Sequence, residues 1–436
     1  MNNYLFSQNL LVVMSLLCGI FCCIALKRLH KTHGTKKLLA LTVYSGLVLF
    51  VEILFCARLF GLNNIPVSSY VIIYVCDYIL IAIIVSLSRN KSLLLVAIPA
   101  FISSLTLLAL TTNDFYQYFP NIESIFVQNY IKAHDVSSMS ETHTKQQYNV
   151  TSLEQEVFGG EQSKGSVMAV KIPGEVSSFN TRNGYIYLPP AYNDNISSKI
   201  KFPVLILLTG VPGDPSSWLQ GGQLVNTMNN FAGHHKGITP IVVIADQSGS
   251  FTNDTECLDS SQGNAGTYLT VDVPNYIKSH FRTSSDPTNW GIGGFSEGGM
   301  CAAMLTLTHQ HTFRHFLDMS GDPNPFLNNY SQTLPVFFHN SKKEQEKHNI
   351  DWLLKHAELQ PHLTAQFAIG RNDSKKLIRE MRQSYYYSSK RNIITSFNII
   401  ANQGHSFSAW SQAYGDALPK LSFYLGATTC ENSCRE

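Results

Sequence analysis

The run Phe202–Leu208 (FPVLILL) constrains this chain more than any other segment. A strand with one face in water alternates apolar and polar residues. A run with no polar member buries both faces, as the interior strands of a parallel sheet do. Ile238–Ala245, Trp290–Gly293, Phe313–Met319, Thr364–Ile369 and Ile393–Ile400 read the same way. Val167–Ile172 and Gly184–Leu188 alternate as edge strands should. Helical stretches, among them Val271–His280, Gly298–Thr308 and Asp351–Glu358, separate these strands. Strands alternating with helices predict an α/β fold with a mostly parallel sheet flanked by helices.

The N-terminal quarter is different. Leu10–Leu26, Leu38–Leu62, Val67–Leu87 and Leu93–Thr112 are apolar and long enough to cross a bilayer as helices, which takes about 20 residues. Met1–Asn9 has no Lys or Arg, so the first stretch does not fit a cleaved signal peptide. Lys27, Arg28, Lys31, Lys36 and Lys37 follow the first stretch, and Arg89 and Lys91 follow the third. Under the positive-inside rule both loops are cytoplasmic, which predicts a multi-pass protein of the cell membrane. Its N-terminus and everything after Thr112 would lie on the extracytoplasmic side, and the bilayer is an expected partner. Glu52, Arg58 and Asp77 fall within these stretches. They read as packing pins between spans, Arg58 against Asp77, rather than as a proton relay, because no chain of further charges accompanies them.

The expected organisation is a four-span region over residues 1–114, a polar stalk over 115–165, the α/β unit over 166–426, and a cysteine-containing tail over 427–436. The net charge of +2 and the lack of a basic stripe with interleaved aromatics argue against a nucleic-acid partner. Of nine cysteines, Cys257, Cys301, Cys430 and Cys434 lie in the polar part, where they allow three disulfide pairings between which the sequence does not choose.

Gly294-Phe295-Ser296-Glu297-Gly298 matches G-x-S-x-G, the nucleophile elbow. The serine of such a motif sits on a sharp turn between strand and helix, where only glycine leaves room for the neighbouring backbone. Five residues alone are a weak signal. Trp290–Gly293 before them and the small residues Gly298, Gly299, Ala302 and Ala303 after them supply the strand and the closely packed helix that the motif needs. A serine hydroxyl needs an adjacent base, itself oriented by a carboxylate. In this fold the partners follow in the order Ser, Asp/Glu, His. Asp373 lies just after the strand Thr364–Ile369, and His405 just after Ile393–Ile400. They are the expected acid and base, with Asp318 and Asp322 as the competing acids. The expected oxyanion donors are the backbone N–H groups of Glu297 and of Val211, the latter in the glycine-bearing loop after Phe202–Leu208. His309, His311 and His315 lack a carboxylate at ligand spacing and read as solvated histidines. His339 and His362 have no strand-end context. No metal or organic cofactor is expected.

From about Ser166 to Leu425 the chain resembles the esterase family that includes esterase D and the actinobacterial mycolyltransferases. The likeness rests on Tyr185–Tyr192 (YIYLPPAY), Leu207–Trp218 (LLTGVPGDPSSW), Gly263–Val271 (GNAGTYLTV), the elbow, and Gly404–Trp410 (GHSFSAW), where the histidine has an H-S-x-x-x-W setting. The resemblance implies an α/β-hydrolase fold and acyl-ester chemistry through a serine acyl-enzyme. With the four apolar stretches ahead of it, it also implies a membrane-anchored esterase or acyltransferase acting on cell-envelope lipid or glycolipid esters. Trehalose mycolyltransferases carry an aspartate before the loop glycine and an arginine just after it. Here Thr209 and Val211-Pro212 stand there, which makes hydrolysis at least as good an expectation as transfer to a sugar. The alternatives are a catalytically idle hydrolase fold serving as a binding module, against which the intact Ser, Asp and His set counts, and a transporter or sensor with an accessory outer domain.

Overall fold

The computed structural model describes residues 13–24, 71–79, 91–119, 164–193, 200–327 and 330–428, with scattered residues between 27 and 46. The chain forms two compact units, Met1–Ile125 and Phe126–Glu436.

In the first unit the longest described helix is α1, Lys91–Tyr116, with Pro99 inside it. Its Ala97 and Ala100 pack with Ile79. Among the described residues no helix is long and apolar enough to cross a membrane. This overturns the expected four-span region and, with it, the multi-pass placement of the chain. Within α1 the hydroxyls of Ser103, Ser104 and Thr106 donate back to the carbonyls of Ala100 and Ile102. Most of the second expected span, including Glu52 and Arg58, lies outside the described residues, as do most of the stalk and Cys430 and Cys434. Asp77 is described and half-buried.

The second unit is built on one eight-stranded mixed sheet. Its strands are β1 Ser166–Val170, β2 Gly184–Leu188, β3 Val204–Leu208, β4 Ile241–Ile244, β5 Trp290–Phe295, β6 His315–Met319, β7 Thr364–Gly370 and β8 Ile394–Ile400. The spatial order is β1-β2-β4-β3-β5-β6-β7-β8. From β4 to β8 every neighbouring pair is parallel; β2 runs antiparallel to both β1 and β4. The result is the expected α/β-hydrolase-like sheet, with two differences in detail. Ile394–Ile400, expected to be buried on both faces, is an edge strand and mostly half-buried. Gly184–Leu188 is not an edge, because β1 covers it.

The side-chain period of two explains why β3 has no polar member. Val204, Ile206 and Leu208 enter the core on one face with Ile292, Phe316 and Phe367. Leu205 and Leu207 enter the other with Trp218, Trp410 and Tyr414. Helices cover both faces. The first is packed by α3 (Val273–His280), α4 (Glu297–Thr308), α5 (Ile350–His356) and α6 (Lys375–Ser389). The second is packed by α2 (Leu224–His234) and α7 (Phe407–Tyr424). Each fully buried leucine of β3 contributes about 1.5–3 kcal/mol relative to leaving it in water. The parallel strands end on one side of the sheet, so the loops after β3, β4, β5, β7 and β8 open onto the same edge, where α/β folds carry their sites.

Candidate active site

Ser296 stands between the last residue of β5 and the first of α4, with φ 55° and ψ −125°. A non-glycine residue rarely adopts this conformation and keeps it only where its surroundings enforce it. Here the Ser296 N–H donates to the Met319 carbonyl of β6 at 2.8 Å. The flanking glycines are required by contact rather than by φ. A Cβ on Gly294 would lie 2.3 Å from the Gly298 carbonyl oxygen, and one on Gly298 would lie 2.4 Å from that of Thr209.

The loops after β7 and β8 bring the expected partners to this serine. Nε2 of His405 is 3.0 Å from Ser296 Oγ. Nδ1 of the same ring is 3.0 Å from Asp373 Oδ2. The spacing of the two loops is fixed by their backbones, since Arg371 N–H donates to Ile400 O and Asn372 N–H to Gln403 O. The Asp373 side chain is 4% exposed and that of His405 35% exposed. Burial alone would raise the Asp373 pKa. The hydrogen bond and charge of His405 and the Ser374 N–H outweigh burial and hold the carboxyl below its ordinary value. A carboxylate kept ionised behind the imidazole fixes its orientation and stabilises it when it takes a proton.

The H-S-x-x-x-W setting has a local cause. Ser406 caps α7, its hydroxyl accepting from the Ala409 N–H. His405 therefore sits just ahead of the helix, and Trp410 falls in its first turns. The Trp410 ring meets His405 edge-on at 4.9 Å.

The competing acids are placed elsewhere. Asp318, on β6, is buried beneath α4 and accepts from the Gly321 N–H at 2.8 Å. Burial pushes its pKa up to about 7. Asp322 accepts from the Asn324 N–H. His309, His311, His339 and His362 are exposed. His315 is not a solvated histidine. It is buried in β6 between the Thr364 hydroxyl and the Thr288 carbonyl, and burial lowers its pKa to about 4.

Val211 lies in the Thr209–Gly213 loop, and the loop runs against the serine: a Cβ on Gly210 would lie 3.0 Å from Ser296 Cβ. Glu297 is the first residue of α4. Its carboxyl is enclosed, and burial, with the charge of Asp254 nearby, pushes its pKa well above the ordinary value. Cys257 is joined to Cys301, which ties the loop after β4 to α4. Of the pairs the sequence left open, this one is formed; Cys430 and Cys434 lie outside the described residues. The bond also removes both sulfurs as ligands from the one group of metal-type donors among the described residues, Cys257, Glu297 and Cys301.

Sequence reading passed over Arg182, Asp246 and Gln247. The available signal was the position of Asp246 and Gln247, two polar residues directly beyond the C-terminal end of an all-apolar strand.

The family model described as "Putative esterase" matches residues 178–421, more than half of the chain. The chain belongs to this esterase family. The match contains Ser296, Asp373 and His405, together with all of the sheet from β2 to β8. An uncharacterised protein of Corynebacterium glutamicum is 35% identical to this chain over 263 residues, covering 58% of the chain. The chain spans 61% of that relative's length. Among solved structures, a ferulic acid esterase superposes with a TM-score of 0.51 at 18% identity, covering 60% of this chain and 99% of its own. That likeness is one of fold.

Proposed function

We propose that this chain is a serine carboxylic-ester hydrolase whose nucleophile is Ser296, with His405 as general base and Asp373 as its orienting acid. The observation that supports this reading is the unbroken line from Asp373 Oδ2 through His405 to Ser296 Oγ, with both links at 3.0 Å, ending on a serine held at positive φ.

In the proposed reaction Ser296 Oγ attacks the ester carbonyl carbon as His405 Nε2 takes the hydroxyl proton. The carbonyl oxygen becomes an oxyanion, bound by the backbone N–H groups of Val211 and Glu297. Such a donor contributes about 2.7–4 kcal/mol to lowering the barrier. The tetrahedral intermediate collapses as His405 passes its proton to the departing alkoxide, which leaves an acyl-Ser296 ester. Water then attacks that ester. His405 accepts the proton from water and returns it to Ser296 Oγ as the carboxylic acid departs. Asp373 stays ionised throughout.

Water is favoured as the acyl acceptor by Thr209. In the trehalose mycolyltransferases that this sequence resembles, the equivalent position offers a carboxylate to the sugar. Here Thr209 is buried and its hydroxyl is engaged with Gln247, so it presents no polar group to an alcohol. A panel of p-nitrophenyl esters of increasing acyl length, assayed with and without sugar and glycerol acceptors, tests the reading. Turnover that is lost in Ser296→Ala and yields free acid as the main product is expected. Turnover that survives in Ser296→Ala contradicts it, and mainly acylated acceptor would assign the chain to acyl transfer instead.

A further inference from the structure

Two consecutive residues just beyond β4 hold both ends of the loop that carries Val211. At the near end, β3 and β4 stop pairing after Leu207 and Ile244, with Ala245 N–H still reaching Leu207 O. Leu208 still pairs with Gly294 of β5, but Thr209, just beyond, has no strand partner on the β4 side. The Gln247 side chain supplies one. Its Nε2 donates to the Thr209 carbonyl at 2.7 Å, and its Oε1 accepts from the Thr209 N–H at 3.5 Å and from the hydroxyl at 3.4 Å. Gln247 and Thr209 are each 1% exposed. From the other side Gly298 presses on the same Thr209 carbonyl, leaving no room for a Cβ. Thr209 is thus held between the Gln247 amide and the first turn of the elbow helix.

At the far end the link runs through a cation. Asp246 is 1% exposed and takes the Arg182 guanidinium on two nitrogens, Nη2 at 2.6 Å and Nε at 3.1 Å. The third nitrogen, Nη1, donates to the Gly213 carbonyl at 3.0 Å. Arg182's own N–H also donates to Asp246, as do those of Ser248 and Gly249. The planar fork of arginine can serve the carboxylate and the carbonyl together; a lysine ammonium is a single point charge. The segment that supplies both grips is itself anchored, since the Thr255 hydroxyl donates to Gln247 O and Asn253 Nδ2 to Ser248 O.

We propose that Gln247 and the Arg182–Asp246 pair are positioning residues that clamp the Thr209–Gly213 loop at its two ends and so set the Val211 N–H against the oxyanion formed at Ser296. Neither touches the reacting atoms. The inference rests on the esterase reading above, and in particular on Val211 as an oxyanion donor. A clamp of this kind acts on the tetrahedral intermediate and the transition states that flank it, because the bound ester carries no oxyanion, and so moves kcat rather than KM.

The test uses the full chain. Active sites are first titrated with a fluorophosphonate, so that kcat is counted per competent Ser296. Gln247→Leu is expected to lower kcat by about 10- to 100-fold with KM changed less than about threefold, short of the 10²–10³ that loss of a whole donor costs. Its affinity for a trifluoromethyl ketone, which forms the oxyanion adduct, should fall by the same factor as kcat/KM. Arg182→Lys keeps the charge beside Asp246 but loses the second contact, and a fall of about 3- to 10-fold in kcat is expected. If Gln247→Leu does not fold, Gln247→Asn and Arg182→Lys carry the same test. Titrated variants with wild-type kcat and wild-type ketone affinity overturn the clamp while leaving the esterase reading intact. Failure of the wild type to titrate at Ser296 overturns both.

Discussion

The Trp410 indole lies flat on the Phe295 ring, with centroids 4.4 Å apart and planes within 9° of parallel. Phe295 is the residue before Ser296, and the same indole meets His405 edge-on. One indole therefore touches both the residue before the proposed nucleophile and the proposed base, and Trp218 packs tilted against Phe295 at 5.2 Å. An aromatic pair contributes about 0.5–1.5 kcal/mol beyond its buried area. Its larger effect here is on geometry, since a misplacement of about 1 Å can cost on the order of 10²-fold in rate. Trp410→Leu is expected to lower kcat by about 10- to 100-fold. Ester turnover measured alongside thermal unfolding separates that loss from unfolding.

The two candidate acids should part under one substitution. Asp373→Asn is expected to lower kcat by on the order of 10³–10⁴, the range that loss of an orienting carboxylate produces in serine hydrolases. Asp318→Asn should leave kcat within a few-fold. It should instead change how stability depends on pH. Asp318 keeps its proton in the folded protein up to about pH 7, whereas an unfolded aspartate releases it near pH 4. Between those values the folded state binds more protons, so wild-type stability falls as pH rises through the window. Denaturant unfolding at both ends of the window should show Asp318→Asn gaining on the wild type as pH rises. A constant difference would contradict the assignment.

Gly298 and Gly233 offer a paired test of packing. A Cβ on Gly298 meets the Thr209 carbonyl and the Leu208 backbone, neither of which can swing aside. Gly298→Ala should abolish most ester turnover and lower the unfolding temperature. At Gly233, near the end of α2, a Cβ meets nothing within 4 Å. Gly233→Ala should raise stability by about 0.5–1 kcal/mol with turnover unchanged.

The Cys257–Cys301 bond closes a loop between residues 44 apart in sequence. Restricting the unfolded chain over such a loop contributes roughly 2–4 kcal/mol. The double variant Cys257→Ala/Cys301→Ala should therefore unfold at a lower denaturant concentration, and reductant should have the same effect on wild type and none on the variant. Equal unfolding of both proteins without reductant would mean the bond contributes nothing.

Most of the second unit was legible because its strands announce themselves by burial. β3 and β5 are continuous apolar or small-residue runs, β7 is broken by Gln366, and the expected bounds of each lie within about two residues of those observed. The juxtaposition of Ser296, Asp373 and His405 is legible because the elbow leaves a steric signature in its glycines and because the other two follow recognisable strand ends. Arg182 left no such signature, and Gln247 had only its place beyond the strand Ile238–Ala245: their partners in the loop are mostly main-chain groups, and a residue that bonds to backbone places no demand on the identity of its partner. The first unit was misread for a different reason. Window apolarity alone carried the four-span expectation, and among the described residues no helix is long and apolar enough to cross a membrane. His315 was misread because a histidine beside two others looks solvated until the strand that buries it is known.

The central claim is that Ser296 Oγ is the nucleophile. Intact-mass and peptide mass spectrometry after treatment with a fluorophosphonate test it directly. One phosphonyl group per chain, located on Ser296, with labelling and ester turnover both absent in Ser296→Ala, is the result expected. Labelling at another residue, or turnover undiminished in Ser296→Ala, would contradict it.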